Sequence, residues 1–141
     1  FDTLKKEKHL RYVPNTDHRL NASAISDFTA FYYLTLYDIP RPIYHWKTAS
    51  DGTYNVVSDT RPKAVRLWQA TNLQERNFRL DKLGKAWHSK RLLPDSNGAY
   101  KGRVSAPTSG WKAYMIELEY ETQSPTPLRF TSDVSIVSAP N

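Results

Sequence analysis

The sequence contains no cysteine. This absence excludes disulfide scaffolds, thiolate zinc sites and cysteine nucleophiles together. No apolar run approaches the roughly 18 residues that a transmembrane helix needs. Hydrophobic residues nevertheless make up 39% of the 141 residues, so a packed core is expected. The length predicts one ordinary domain, or a small domain with an appendage.

Basic residues outnumber acidic ones, with 20 Lys and Arg against 14 Asp and Glu. The resulting formal charge of +6 permits attraction to polyanions. The basic residues are scattered along the chain, however, and form no long run. A solvated basic surface is therefore the preferred interpretation, and nucleic-acid binding is the weaker alternative.

The first 38 residues have the pattern of a strand, a turn and a helix. The apolar segment "HLRYVP" predicts the strand, and a polar turn that contains His18 follows it. A helix is expected from about Ala22 to Tyr37, capped by Asn21 or Ser23. Four apolar residues at spacings of three and four predict its buried face: Ile25, Phe28, Tyr32 and Leu36.

Residues 43–141 change to a period of two, which is typical of β-strands. In "YMIELEYE", for example, Tyr114 and Ile116 share one face, whereas Glu117 and Glu119 share the other. Seven segments have strand character: "IYHWKTA", "TYNVVS", "KAVRLWQAT", "AWHSKRLL", "YKGRVSA", "YMIELEYE" and "LRFTSDVSIV". Seven strands in about a hundred residues predict an antiparallel β-sandwich of immunoglobulin-like size.

The prolines of "DIPRP" separate these two parts, because proline ends a helix and restricts the residue before it. We therefore predict a first unit at 1–38, a linker at 39–42 and a β-sandwich at 43–141. One strand and one helix bury too little surface to fold alone. Residues 1–38 must pack on the sandwich or on a sheet from elsewhere.

His18 is the candidate catalytic residue, because a turn after a strand can present an imidazole at a sheet edge. Most lone turn histidines are simply solvated, and that alternative stays open. Asp17 is poorly placed to orient the ring, since adjacent side chains seldom meet. No G-x-S-x-G motif provides a nucleophile, so the chain alone is not a complete serine hydrolase.

Other candidate sites are weaker. The four tryptophans could stack sugars, but core or interdomain packing is the preferred interpretation. His45 and His88 each neighbour a tryptophan, and nothing in the sequence supplies further ligands around them. We expect neither a metal nor another cofactor.

The segments "LRYVPNTDHRL", "IPRP", "VRLWQATN", "RNFRL" and "GWKAYMIELEYE" occur in an order that resembles the PhoPQ-activated pathogenicity-related protein family. The resemblance covers essentially the whole chain but only about the last third of a typical member. It implies an exported protein, periplasmic or extracellular, with an α/β-hydrolase-like domain and a C-terminal sandwich.

By this resemblance, residues 1–38 correspond to the closing strand, turn and helix of the hydrolase-like domain. His18 then has the place of the triad histidine, and the serine and acid belong to an upstream domain. That domain is the expected partner, with a peptide or ester as substrate, and homodimerisation through the helix face is an alternative. A non-enzymatic sandwich that binds a protein or a surface glycan is the second functional hypothesis.

Overall fold

The structure of the protein is a computed structural model that describes residues 3–140. The described chain has two helices and eight strands. In chain order these are α1 (Ala22–Leu36), β1 (Tyr44–Thr48), β2 (Tyr54–Ser58), β3 (Ala64–Asn72), α2 (Leu80–Leu83), β4 (His88–Leu92), β5 (Tyr100–Gly102), β6 (Trp111–Tyr120), β7 (Leu128–Thr131) and β8 (Ser135–Ser138). The expectation of a mainly β fold is confirmed.

The strands form two antiparallel sheets. One sheet has the order β1-β2-β5, and the other has the order β4-β3-β6-β7, with β8 also paired to β6. Apolar side chains from both sheets form one buried cluster, which gives the fold its sandwich-like arrangement. The largest fully buried side chains of this core are Tyr54, Tyr114, Tyr120, Leu34, Leu67, Met115, Ile116, Leu118 and Leu128.

Six of the seven predicted strand segments each coincide with one strand. The seventh, at 128–137, is divided into β7 and β8, and both pair with β6. Glu117 faces Thr131 in β7, whereas Tyr114 faces Ser135 in β8, so the second pairing is offset by one residue. This offset is a β-bulge, and Ser132 stabilises it by donating its backbone N–H to Ile116 O and accepting the Ile116 N–H on Oγ.

Helix α1 begins and ends close to the predicted limits. The Asn21 side chain accepts the Ala24 backbone N–H at 2.9 Å, which confirms the cap. The predicted buried face is wrong for the described chain, because Ile25, Phe28, Tyr32 and Leu36 are all exposed. The buried face instead consists of Ala24, Asp27, Ala30 and Leu34. The small residues on this face let the helix approach the sheet closely. These buried residues also recur at spacings of three and four, but the larger apolar residues gave the more obvious pattern in the sequence.

The segment 9–13, predicted as a strand, runs extended beside β7 but does not form a regular ladder. Thr131 donates its backbone N–H to Leu10 O at 2.8 Å, and Tyr12 donates its backbone N–H to Thr131 Oγ1 at 3.0 Å. The strand prediction is therefore wrong in the strict sense, since a strand needs a partner with a regular register. Division of the chain into units at 1–38 and 43–141 stays a prediction.

No helix within residues 3–140 is both long and apolar enough to cross a membrane.

Candidate functional site

His18 lies on an exposed turn between the extended segment 9–13 and helix α1. Among the described residues its imidazole makes no hydrogen bond and no ion pair. Both ring nitrogens are therefore open to groups outside the described chain. Within residues 3–140 no acidic side chain is bonded to this ring.

The residues before His18 shape the turn. Asn15 has a positive φ of 55°, a conformation that asparagine adopts more readily than most residues. The Asp17 carboxylate accepts the Arg19 backbone N–H at 2.8 Å, and the Thr16 hydroxyl donates to Arg19 O at 3.1 Å. These bonds close the turn locally and direct the side chain of His18 toward solvent.

Asn15 also attaches this turn to the sandwich. Its Nδ2 donates to Trp87 O at 2.8 Å, and Trp87 N donates to its Oδ1 at 3.0 Å. Trp87 is itself held in place, because its indole N–H donates to Phe78 O at 3.3 Å and its ring meets Phe78 edge to face. The position of the His18 turn thus depends on the connection between β3 and β4.

Six charged side chains form a second link between the first 38 residues and the sandwich, and we call them the charge network: Arg11, Asp27, Arg66, Glu117, Glu119 and Arg129. Arg11 bonds Asp27 at 2.5 Å and Glu117 at 3.1 Å. Arg129 joins the Oδ1 of Asp27 at 3.1 Å to the Oε2 of Glu119 at 3.0 Å. Arg66 completes the network by contacting Glu119 at 3.1 Å and Glu117 at 3.4 Å.

The carboxylates of the charge network are buried between α1 and the sheet. Burial opposes the ionisation of Glu119, but Arg129 and Arg66 more than offset it and lower the pKa of this carboxyl. Burial likewise acts against the charge of Arg129, whereas Asp27 and Glu119 stabilise it, so the pKa of Arg129 is raised. Each of these two shifts favours the charged form of the pair that Glu119 and Arg129 make.

An aromatic stack lies at the other end of the extended segment. The ring of His9 stacks on Phe130 with centroids 4.1 Å apart, and Tyr44 stacks on the same ring at 5.3 Å. Glu7 contacts His9 and forms a pair with Arg41, which lowers the pKa of Glu7 to about 2. A cavity of about 790 Å³ borders this stack. The side chain of His9 is largely buried and its ring stacks on Phe130, which indicates a packing role within the described chain.

The remaining sequence candidates do not converge on a site. His45 and His88 are both exposed, on different sheets. All four tryptophans are half-buried, namely Trp46, Trp68, Trp87 and Trp111, and Trp46 packs against the buried cluster of the sandwich. Within residues 3–140 no group of three or more His, Cys, Asp or Glu side chains could hold a metal ion.

Sequence reasoning missed both attachments of the His18 turn. Asn15 and Trp87 lie 72 residues apart, and no local pattern signals their contact. The sequence contains one sign of the charge network, which is the alternation of Glu117 and Glu119 along β6. The face that Glu117 and Glu119 share is where Arg11, Arg66 and Arg129 pack.

The chain was compared with known families and proteins. The family model of the PhoPQ-activated pathogenicity-related protein matches residues 1–79, which is more than half of the chain. Autocrine proliferation repressor protein A from Dictyostelium discoideum is 30% identical over 161 aligned residues, covering 96% of this chain and 33% of that protein. The chain thus spans about a third of the length of this relative. No solved structure matches.

The family match includes the extended segment, the His18 turn, helix α1 and the first three strands. The Asn15 contact and the charge network connect this matched part to Trp87, β6 and β7, which follow residue 79. The resemblance seen in the sequence is therefore confirmed, and this chain belongs to the PhoPQ-activated pathogenicity-related protein family.

Proposed function

We propose that this chain is the C-terminal, histidine-bearing part of an exported serine-hydrolase-like protein, in which His18 is the general base. The single observation that carries the proposal is the state of the imidazole. It is exposed on a fixed turn and has no hydrogen-bond partner among the described residues. A catalytic histidine needs one nitrogen for the serine hydroxyl and the other for an orienting acid.

The chemistry follows the acyl-transfer pattern. His18 would take the proton of a serine hydroxyl as that oxygen attacks the carbonyl of an ester or peptide, and would then return the proton to the leaving group. The described chain supplies neither the serine nor the acid. Both would come from the remaining part of the full-length protein, which makes the chain catalytically incomplete by itself.

The sandwich has an accessory role in this proposal. It does not contribute a reacting group, but it fixes the turn through Trp87 and the charge network. A misplacement of a catalytic group by about 1 Å costs on the order of a hundredfold in rate. A rigid attachment of the turn therefore has a direct catalytic value.

The test compares full-length protein with its His18→Ala variant on generic ester and peptide substrates. We expect kcat/KM to fall by at least about a thousandfold. His88→Ala is the matched control, because His88 is an exposed histidine outside the proposed site, and it should retain wild-type turnover. Wild-type turnover in His18→Ala would overturn the proposal.

A second candidate is a non-enzymatic binding or signalling module that recognises a protein partner or a surface glycan. The relative is named as an autocrine proliferation repressor, which describes a signalling effect and no catalysis. This candidate predicts that full-length His18→Ala keeps its biological effect on cells. Loss of that effect together with loss of turnover would favour the enzyme instead.

Export to the periplasm or the extracellular space belongs to the same proposal. A chain without cysteine needs no particular redox compartment, so it is compatible with export. Fractionation of cells that produce the full-length protein tests this point. Recovery of the protein solely in the cytosol would contradict it.

A further inference from the structure

Much of the positive charge of the chain arises from β4 and the connection that leads into it. Residues 73–92 carry six Lys and Arg against one Glu and one Asp, a formal charge of +4 within a chain of +6. We call these residues the basic segment. Its six cationic side chains are all exposed: Arg76, Arg79, Lys82, Lys85, Lys90 and Arg91. A surface with charge of one sign attracts partners of the opposite sign.

Most of these cations are not neutralised within the described chain. Arg79 pairs with Asp81 at 2.9 Å, and the Arg91 guanidinium donates to Lys63 O at 3.1 Å. Among residues 3–140 the other four cations make no ion pair and no hydrogen bond. The arginines of the charge network differ in this respect, because each of them contacts a buried carboxylate. The charge of the basic segment is therefore available to a ligand.

Strand β4 has an unpaired backbone edge beside these cations. It is the last strand of its sheet, and it pairs with β3. Within the described residues no backbone hydrogen bond outside that ladder reaches residues 88–92. Residues 88–91 are all exposed. Amide and carbonyl groups on the outer side of an edge strand can pair with an added strand, so β4 is a template for strand addition.

A cavity of about 550 Å³ lies at the C-terminal end of β4. Leu92 forms part of its wall, and Arg61 and Arg91 also line it. Lys63 and Glu121 border the same cavity and pair with one another. Positive charge therefore continues to the end of the strand, where the cavity can accept a side chain of a bound segment.

These features together fit an extended acidic peptide. The backbone of such a peptide pairs with the strand edge, and its carboxylates lie opposite or next to the cations. A second copy of this chain brings the same positive charge to β4, so like-charge repulsion opposes pairing between two β4 edges. A nucleic acid or an anionic polysaccharide contacts the cations but has no peptide backbone to pair with the strand.

We propose that the edge of β4 binds an acidic peptide segment of a partner protein as an added strand, and that the basic segment selects the charge of this peptide. The five residues of β4 extend over about 17 Å, enough for a short peptide strand. The inference goes beyond the proposed function, because this binding needs neither the imidazole of His18 nor a serine. Because β4 begins directly after Trp87, which bonds Asn15, one end of the bound peptide lies near the His18 turn.

Fluorescence anisotropy with full-length protein and a labelled peptide of alternating Glu and Val tests the proposal. We expect saturable binding that weakens as NaCl is added, because salt screens the charges. The double variant Lys85→Glu/Lys90→Glu should bind about tenfold more weakly. Lys6→Glu/Lys47→Glu is the matched control, since it changes the net charge equally at exposed lysines outside the basic segment, and it should bind like wild type.

The backbone contribution is tested with the same peptide methylated at every amide nitrogen, which keeps its charge but has no backbone N–H. This peptide should bind at least about tenfold more weakly. Hydrogen–deuterium exchange should show slower exchange of β4 amides when the unmodified peptide is bound. His18→Ala should bind the peptide like wild type, so a failure of the proposed catalysis remains distinguishable from a failure of this site.

Four results would contradict the proposal. The first is the absence of saturable binding, and the second is an equal loss of binding in the two lysine variants, which would assign the binding to net charge. The third is equal binding of the methylated peptide, which would assign it to a general polyanion surface. The fourth is slow exchange of the outer β4 amides in the full-length protein without peptide, which would show that another part of the protein already covers this edge.

Discussion

Asn15 and Trp87 are joined by two hydrogen bonds between one side-chain amide and one backbone unit, across 72 residues of sequence. An amide that accepts from the N–H and donates to the C=O of one residue fixes both the distance and the orientation of the two segments. The turn that carries His18 and the connection before β4 therefore behave as one piece. A substitution that moves the connection before β4 should therefore also move the imidazole of His18.

Replacement of Asn15 tests how strongly the turn is attached. Asn15→Ala removes both hydrogen bonds to Trp87. It also places alanine, which has no polar side-chain atom to offset the strain, at a φ of 55°. We expect the free energy of unfolding to fall by about 2 kcal/mol. Chemical denaturation measures this change. Asn97→Ala is the control at an exposed turn, and it should stay within about 0.5 kcal/mol of wild type.

Asn15→Gly separates the two causes, because glycine adopts a positive φ without strain but cannot make the hydrogen bonds. It should be more stable than Asn15→Ala and less stable than wild type. An Asn15→Ala variant that unfolds at the wild-type denaturant concentration would show that the bonds to Trp87 contribute nothing.

The charge network provides the second prediction. Asp27→Ala leaves the half-buried Arg11 and Arg129 without their shared buried carboxylate, and removal of one member of a buried ion pair costs about 3 kcal/mol. Denaturant unfolding followed by tryptophan fluorescence measures the loss. Asp81→Ala removes the exposed pair with Arg79 and should cost less than about 1 kcal/mol.

The outcome that contradicts this prediction is equal stability of the two variants. It would mean that Arg11 and Arg129 find water or new partners once Asp27 is removed. A double substitution of Asp27 and Arg129 then shows whether the pair is coupled, since coupled residues give a double variant more stable than the sum of single effects.

The strands could be predicted from the sequence because their signal is local. Alternation along β6 and β3 needs only neighbouring residues, and the prolines after α1 stop the helix through their own geometry. The bulge between β7 and β8 was missed because it depends on Ser132 bonding a residue of another strand. Nothing within 128–137 marks that position.

The faces of α1 and β6 show why the rest could not be predicted. Periodicity identified Ile25 and Phe28 as a buried face, although the smaller residues Ala24 and Ala30 are the ones that pack on β7. It also grouped Glu117 and Glu119 on one face of β6, but it did not show that arginines from three other segments cover this face. In both cases the answer depends on which layer lies opposite, and a sequence pattern does not contain that information.

Acid should weaken the fold through the paired carboxylates. The pKa of Glu119 is lowered in the folded state, and that of Glu7 is lowered to about 2 from 4.5. A lowered folded pKa adds stability above the unfolded pKa, and this stability is lost as the pH falls through the folded pKa. We therefore expect the denaturation midpoint to decrease progressively from about pH 5 toward pH 2.

Glu119→Gln should flatten this dependence, since glutamine does not titrate, and its stability should approach that of wild type as the pH falls. Urea denaturation at pH 7, 5 and 3 measures both slopes. Glu75→Gln, at an exposed glutamate, should keep the slope of wild type. A Glu119→Gln slope equal to that of wild type would assign the acid sensitivity to other groups.

Gly102 in β5 lies against side chains of the other sheet, and it supplies the last prediction. A Cβ at this position would overlap Cδ1 of Ile116 and lie 3.3 Å from Cδ1 of Leu67. Gly102→Ala should therefore destabilise the fold by about 1–3 kcal/mol through overpacking.

Ile116→Val removes the overlapping methyl group and alone costs about 1 kcal/mol. The double variant should be more stable than the sum of the single effects, measured by denaturation as a double-mutant cycle. Strict additivity would show that the sheets separate freely at this point, and that the glycine is not required by their packing.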